Sequence, residues 1–321
     1  MAPKIVFVTQ GLVDDDVVHE MTPDGFDLTI ARPREAAFAT AIAEAGYLVG
    51  FADMLVNDEL FAQAPRLKLI QLMSAGYDRA DLAAARKSGV PMANNGGANS
   101  VAVSEHAILL MLAVSRDLIR QHSNVAGGRW RGNATPRLHE LRGKTLGIVG
   151  LGTIGKKTAR LAQAFGMAVT YYDIARLPEH QEDALNARFR LYRELLRTAD
   201  IVSLHVPLND STKGMLGAED LALMKSEAIL INTARGPVVD EAALVQALSS
   251  GALAGAGLDV FEQEPPETDN PLFKLNNVIL TAHMAGPTQE SQIARLRNCF
   301  DNVQRVERGE APLWVAPELT E

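Results

Sequence analysis

Short apolar runs alternate with stretches of helical periodicity along nearly the whole chain. Runs at 4–9, 27–31, 47–50, 67–73 and 90–93 read as strands, and 33–45 and 78–88 between them as helices. A turn-rich break follows at Asn94-Asn95-Gly96-Gly97-Ala98-Asn99, and Asn99 or Ser100 can cap a helix expected from Val101 to about Gln121. From Ala107 to Val114 that helix is apolar on every side, so it has to be buried all round. A contact with a second copy of the chain is the expected way to bury it, and a central position in a monomer is the alternative. Gly127-Gly128-Arg129-Trp130-Arg131-Gly132 reads as a loop. Strands are then predicted at 146–149, 168–172, 188–191, 201–206, 228–233, 255–260 and 277–281, with helices at 153–165, 218–225, 240–249 and 288–308. Strands alternating with helices predict an α/β protein of two doubly wound domains, each a parallel sheet covered on both faces.

One stretch organises this pattern. Leu146–Val149 is strand, Gly150-Leu151-Gly152-Thr153-Ile154-Gly155 turns into a helix, and Ala168–Tyr172 is strand again, ending at Asp173. Gly150 permits the tight turn, Gly152 lets the backbone approach a pyrophosphate, and Gly155 lets the helix lie close on the strand. The helix N-terminus, with Thr153 and Ile154 in its first turn, offers unpaired N–H groups to a diphosphate. Asp173 stands where a carboxylate accepts the adenosine ribose hydroxyls. A GxGxxG alone is weak; with a strand before it, a helix after it and an acid beyond, it predicts a dinucleotide site. The charge of Asp173 would repel a 2′-phosphate, which favours NAD over NADP, although Arg176 could swing toward a phosphate.

The chain's 321 residues suit more than one core. The domains expected are 1–99, a substrate domain; 100–288, a dinucleotide-binding domain; and 289–321, a helix returning to the first. A net charge of −8 leaves no basic field for nucleic acid or an anionic membrane. The single cysteine, Cys299, excludes an intrachain disulfide and fits a reducing cytoplasm. Lys4–Val8 reads as a strand start and not a signal peptide. Seven histidines and one cysteine show no metal-ligand spacing.

Residues standing just past the strands face a bound cofactor in such a sheet. Arg235 follows 228–233, Glu264 follows 255–260, and His283 ends 277–281. Reduction of a 2-keto acid needs a proton donor to the carbonyl oxygen as hydride arrives, and the reverse needs the same group as base. Histidine suits both, a carboxylate on the far ring nitrogen holds its tautomer, and arginine offers a planar fork to the substrate carboxylate. Each also has an ordinary structural reading: Arg235 as a surface residue in a left-handed turn, Glu264 as a loop acid rivalled by Glu262, His283 as a satisfied strand-end histidine. Their arrival together at adjoining strand ends beside a nucleotide turn favours chemistry. Ser74, Ala75 and Gly76 follow another strand, and their N–H groups could cradle a carboxylate or form an ordinary turn. Asp259 bonds either the nicotinamide carboxamide or backbone N–H groups, and His205 and Pro207 shape the cofactor's edge.

With these residues assembled, the chain resembles the D-isomer-specific 2-hydroxyacid dehydrogenases over nearly its whole length. The resemblance rests on Gly150–Gly155, on Asn232-Thr233-Ala234-Arg235-Gly236-Pro237-Val238-Val239-Asp240, on Leu258-Asp259-Val260-Phe261-Glu262-Gln263-Glu264-Pro265-Pro266, and on His283-Met284-Ala285-Gly286. It implies a Rossmann dinucleotide-binding domain inserted in a smaller flavodoxin-like substrate domain. It implies that Arg235 binds substrate, that Glu264 rather than Glu262 orients His283, and that His283 is the acid/base. Asp259 is assigned to nicotinamide, Asp173 to ribose, and the Ala75-Gly76 backbone, beside Ser74, to the substrate carboxylate; Thr233, Ala234 and Gly286 fall on cofactor positions. The implied reaction is hydride transfer between NAD and a small D-2-hydroxy acid of the glyoxylate, hydroxypyruvate or pyruvate type. Two departures stand out: Ala282 where the family usually has proline before the histidine, and Gly96-Gly97 where a Thr-Pro-like pair is common. Glu264 argues against the formate-acting branch, which carries glutamine there, and Ser74 against the phosphite-acting one, which carries lysine. The alternative is a non-catalytic NAD sensor resembling the family's corepressors, which should show a peptide-docking extension; none is evident, nor a regulatory domain after Glu321.

Overall fold

A computed structural model describes residues 2–33, 35–130 and 138–320. The chain divides into two compact units, Met1–Asn99 with Pro287–Glu321, and Ser100–Gly286. Arg131 and Gly132 of the expected loop lie outside the described residues.

The first unit runs β1 (Lys4–Val8), α1 (Asp15–Met21), β2 (Asp27–Ala31), α2 (Ala36–Ile42), β3 (Tyr47–Gly50), α3 (Asp58–Gln63), β4 (Leu69–Leu72), α4 (Leu82–Ser88) and β5 (Met92–Ala93). The five strands are parallel in the order β2-β1-β3-β4-β5, the flavodoxin-like arrangement. Every residue of β3 and β4 is buried, because helices cover both faces and a continuous apolar run is what such strands require. The helix read from sequence as 33–45 is shorter at both ends, the one read as 78–88 starts later and ends at the expected residue, and α1 and α3 add to them.

The second unit opens with α5 (Ser100–Ser115) and α6 (Leu118–Ala126). Its sheet follows: β6 (Thr145–Val149), α7 (Thr153–Ala164), β7 (Ala168–Tyr172), α8 (Glu179–Leu185), β8 (Ala187–Phe189), α9 (Tyr192–Thr198), β9 (Ile201–Leu204), α10 (Ala218–Leu221), β10 (Ile229–Asn232), α11 (Glu241–Ser250), β11 (Gly255–Leu258) and β12 (Val278–Leu280). The seven strands are ordered β12-β11-β10-β9-β6-β7-β8. This is the Rossmann order with one strand added, and the switch point falls between β6 and β9. The fold class is therefore α/β with two doubly wound sheets. α12 (Gln289–Glu307) belongs to the first unit, where Leu296, Cys299, Phe300 and Val303 pack with Ile5, Phe7, Tyr47 and Leu69.

The helix expected to run unbroken from Val101 to Gln121 is two helices. Asp117 takes φ 51°, ψ 44° between them, a left-handed conformation that interrupts the helical ladder and that Asp adopts more readily than most residues. Within the single chain the first of them is not buried all round, which leaves the expected contact with a second copy open. Ala107, Leu110 and Met111 are enclosed, but Val101 and Leu109 are half exposed. Strand ends also contract: 188–191 becomes 187–189, and 201–206 stops at Leu204. Among the described residues no helix is long and apolar enough to cross a membrane.

Candidate active site

The glycine turn sits between β6 and α7, and its three glycines meet different surroundings. A Cβ on Gly150 would lie 2.7 Å from the His205 carbonyl oxygen, and one on Gly155 would lie 2.3 Å from that of Gly150. A Cβ on Gly152 would meet nothing within 4 Å. Two glycines therefore permit close packing, and the middle one borders open space. Gly152 is also the N-cap of α7 and gives no side-chain cap, so the first-turn N–H groups around Thr153 and Ile154 stay available to an anion. Asp173 accepts from Leu151 N at 2.7 Å and from Ala175 N at 3.2 Å, which fixes the turn against the end of β7. Two of its four lone-pair directions remain for ribose hydroxyls. Arg176, expected to be able to swing toward a phosphate, instead pairs with Glu182 at 2.8 Å.

Beyond β9, His205 Nε2 lies 3.0 Å from Ser203 Oγ, while its Nδ1 is buried without a partner among the described residues. Burial lowers the pKa of this imidazole to about 4, so the ring is neutral at working pH. Pro207 follows, exposed. Thr233 Oγ1, past the end of β10, is likewise buried and unsatisfied. Uncapped helix N–H groups, open space at Gly152 and buried polar atoms awaiting partners fit a dinucleotide laid across the sheet's carboxyl edge.

Three loops on that edge carry the charged side chains. After β10, Asn232 organises the turn: its Nδ2 donates to Arg235 O at 3.0 Å and its Oδ1 accepts from Ala234 N at 3.0 Å. Arg235 is extended, at φ −145°, and not in the left-handed turn of its ordinary reading. Gly236 lies so close to the next loop that a Cβ would fall 1.8 Å from Phe261 O, so no other residue fits and the Arg235 and Glu264 loops stay in register. Glu264 Oε1 accepts from Phe261 N at 3.1 Å. Its Oε2 lies 2.7 Å from His283 Nδ1. Burial pushes the Glu264 carboxyl up, but the His283 hydrogen bond and charge, the Phe261 N–H and the Arg235 charge outweigh it and set the pKa below its ordinary 4.5. Glu262, the rival acid, uses its backbone N–H on Glu241 at 3.0 Å.

The loop carrying His283 is held by Asp259. His283 itself takes φ 53°, a left-handed conformation that costs a non-glycine residue about 1–2 kcal/mol. Its N–H donates to Asp259 O at 2.8 Å, and Met284 N and Ala285 N donate to the Asp259 carboxylate at 2.8 and 2.9 Å. Thr281 Oγ1 donates to the same carboxylate at 2.6 Å and lies 3.0 Å from His106 Nε2. Since the threonine proton points to Asp259, His106 is the donor in the second contact. Of the two readings of Asp259, the backbone-bonding one accounts for two lone-pair directions, the Thr281 hydroxyl takes a third, and one is left for a carboxamide. Gly286 closes this loop. His106, Thr281 and Asn232 were not singled out from sequence; the available signal was a histidine inside an apolar helix and a polar residue ending each strand.

Ser74, Ala75 and Gly76 belong to the first unit, just past β4. Ser74 O accepts from Asn95 N at 3.1 Å, and Ala75 O from Asn94 Nδ2 at 3.4 Å. Ser74 Oγ is buried and unpartnered among the described residues.

Residues 108–285 match the D-isomer specific 2-hydroxyacid dehydrogenase NAD binding domain. The chain belongs to that family. A glyoxylate reductase of Thermococcus litoralis is 37% identical over 322 residues, covering 97% of this chain and 96% of the relative. Among solved structures, a glyoxylate reductase from Paecilomyes thermophila superposes with a TM-score of 0.87 at 31% identity, covering 99% of both chains. A D-lactate dehydrogenase from Aquifex aeolicus, complexed with NAD and lactic acid, gives 0.83 at 30% identity over 96% of both. As a D-isomer specific 2-hydroxyacid dehydrogenase, the chain uses NAD to interconvert 2-hydroxy and 2-keto acids.

Proposed function

We propose that the substrate is a small 2-keto acid of the glyoxylate, hydroxypyruvate or pyruvate type, reduced to the D-2-hydroxy acid with His283 as acid/base. The observation that carries this reading is the 2.7 Å pair between Glu264 Oε2 and His283 Nδ1 on the nucleotide edge of the sheet. Glu264, ionised at working pH, accepts from Nδ1–H and leaves Nε2–H directed at the substrate carbonyl oxygen. Arg235 binds the substrate carboxylate and draws electron density onto that oxygen. For the first unit the proposal is that the N–H groups of Ala75 and Gly76, beside Ser74, can bind a carboxylate. The nucleotide is held by Gly150, Gly152, Thr153, Ile154 and Gly155 at the diphosphate and Asp173 at the ribose. His205, Pro207, Thr233, Ala234, Asp259, His283 and Gly286 line its nicotinamide half. When bound, NADH would supply the hydride; His283 supplies the proton to the substrate carbonyl oxygen and takes it back in the reverse direction. The relatives named glyoxylate reductase support the small substrate.

We further propose a homodimer working in the cytoplasm. Val101 and Leu109 on α5, with Leu118, Ile119 and Val125 on α6, are about half exposed, and α6 has no buried residue. An apolar stripe of that kind calls for a second copy, and light scattering on the purified chain should give twice the monomer mass. The single cysteine, Cys299, is buried and free, as a reducing compartment allows.

Steady-state oxidation of NADH with a panel of 2-keto acids tests the reaction. His283→Ala is expected to lose about 10²–10⁴-fold in kcat, and Arg235→Ala chiefly to raise KM while also lowering kcat. A wild type that oxidises no NADH with any member of the panel contradicts the reading.

A further inference from the structure

Past β7 the chain runs Asp173-Ile174-Ala175-Arg176-Leu177-Pro178 into α8, and Arg176 is the one basic residue of that segment. An arginine this close behind the ribose acid is where a dinucleotide fold accommodates a 2′-phosphate. Here the guanidinium is committed elsewhere. Its Nε donates to Glu182 Oε1 at 2.8 Å and its Nη2 to Glu182 Oε2 at 3.1 Å, a two-point fork. Its Cζ lies 5.5 Å from the centroid of the Phe189 ring. The two partners differ sharply in exposure: 60% for the Arg176 side chain and 3% for Glu182. Among the described residues Glu182 has one further hydrogen-bond donor, the Tyr171 hydroxyl at 2.8 Å, which itself accepts from Leu177 N at 2.9 Å. An exposed ion pair could be traded for a ligand at little cost, but this one cannot. Withdrawing the guanidinium would leave an enclosed carboxylate with the Tyr171 hydroxyl as its hydrogen-bond donor and only the more distant Arg188 charge to offset its own.

The geometry points to Glu182 as a determinant of nucleotide choice: by holding Arg176 in a forked pair, it denies a 2′-phosphate the one cation that the loop beyond Asp173 provides. Asp173 then repels the phosphate, and Glu182 removes the group that would offset that repulsion. The two acids act in series, and exchanging Asp173 alone leaves the second barrier standing. This goes beyond the keto-acid reading, and its readout is nucleotide binding, so it stands or falls apart from turnover.

Calorimetric titration of NADH and NADPH into the full chain tests it. Wild type is expected to bind NADPH at least about tenfold more weakly than NADH. Asp173→Ser should narrow that gap. Adding Glu182→Gln to Asp173→Ser should tighten NADPH by roughly a further tenfold while leaving NADH where Asp173→Ser put it, and adding Arg176→Ala to that pair should undo the gain. A double variant that melts cooperatively yet binds NADPH no more tightly than Asp173→Ser overturns the proposal. Should Glu182→Gln not fold, Arg176→Ala on Asp173→Ser decides. Unchanged NADPH affinity is expected, because the arginine is already withheld, and a severalfold loss shows that it was free all along.

Discussion

The two halves of the nucleotide-binding sheet handle their ligands by different means. In the half built from β6, α7 and β7, the groups proposed for recognition are mostly backbone: three glycines, the open N-terminus of a helix and one aspartate that ties the turn to the next strand. In the half built from β10, β11 and β12, the side chains proposed to carry the chemistry stand on three separate loops, and a second aspartate does the tying. Asp173 and Asp259 make the comparison concrete, since each accepts backbone N–H groups from a ligand-facing loop. Asp173 secures a turn that any anion-binding helix could use. Asp259 secures a histidine in a left-handed conformation, where a small displacement would misdirect a proton.

Breaking each half separately should separate fold, chemistry and binding. The largest effect is expected from Gly155→Ala, whose Cβ would sit 2.3 Å from a backbone oxygen that cannot rotate away; a loss of more than about 3 kcal/mol in unfolding free energy is expected by denaturant titration. Asp259→Asn should come next. It sets an NH₂ group against one of the Met284 and Ala285 N–H donors and should lower kcat by about tenfold or more, roughly 1.4 kcal/mol of barrier, with NADH affinity changed far less. Gly152→Ala should leave the melting temperature nearly unchanged, because its Cβ meets nothing within 4 Å, yet weaken NADH by about tenfold as it fills the space before the diphosphate.

The last effect is a pH dependence in the nucleotide-free protein. His205 has a folded-state pKa of about 4 against an ordinary 6.5, so between those values the unfolded chain binds more protons. Stability should therefore fall as pH drops from 6.5 toward 4 and gain no further slope from this group below that. The loss should be roughly 1–3 kcal/mol, with the upper end discounted because the ring is partly exposed. His205→Asn should flatten that slope in a chemical denaturation series.

The same contrast explains what could be read from the chain itself. The glycine turn, its helix and Asp173 are contiguous, so spacing alone sets out the first half. The strands of both sheets were legible as apolar runs, and their crossovers forced parallel pairing. Short helices such as α1, α3, α8 and α9 were not, because six or seven residues hold little periodicity unless the pattern continues into the flanks, as it does around α2 and α4. The break between α5 and α6 depends on the left-handed Asp117, and nothing nearby in sequence announces it. The partners of Asp259 include Thr281 and, through it, His106 across a separation of 175 residues, a contact made only when α5 packs on the sheet. The fork between Arg176 and Glu182 spans six residues but crosses from a loop into a helix that sequence did not reveal, so Arg176 looked available.

The central claim is that Glu264 acts through His283 rather than on its own, and a double-mutant cycle on kcat for keto-acid reduction tests it directly. Glu264→Gln alone should cost about tenfold or more; made in a His283→Ala background, the same change should cost almost nothing, because the ring it orients is gone. Equal losses in both backgrounds would contradict the account and give the carboxylate a separate task.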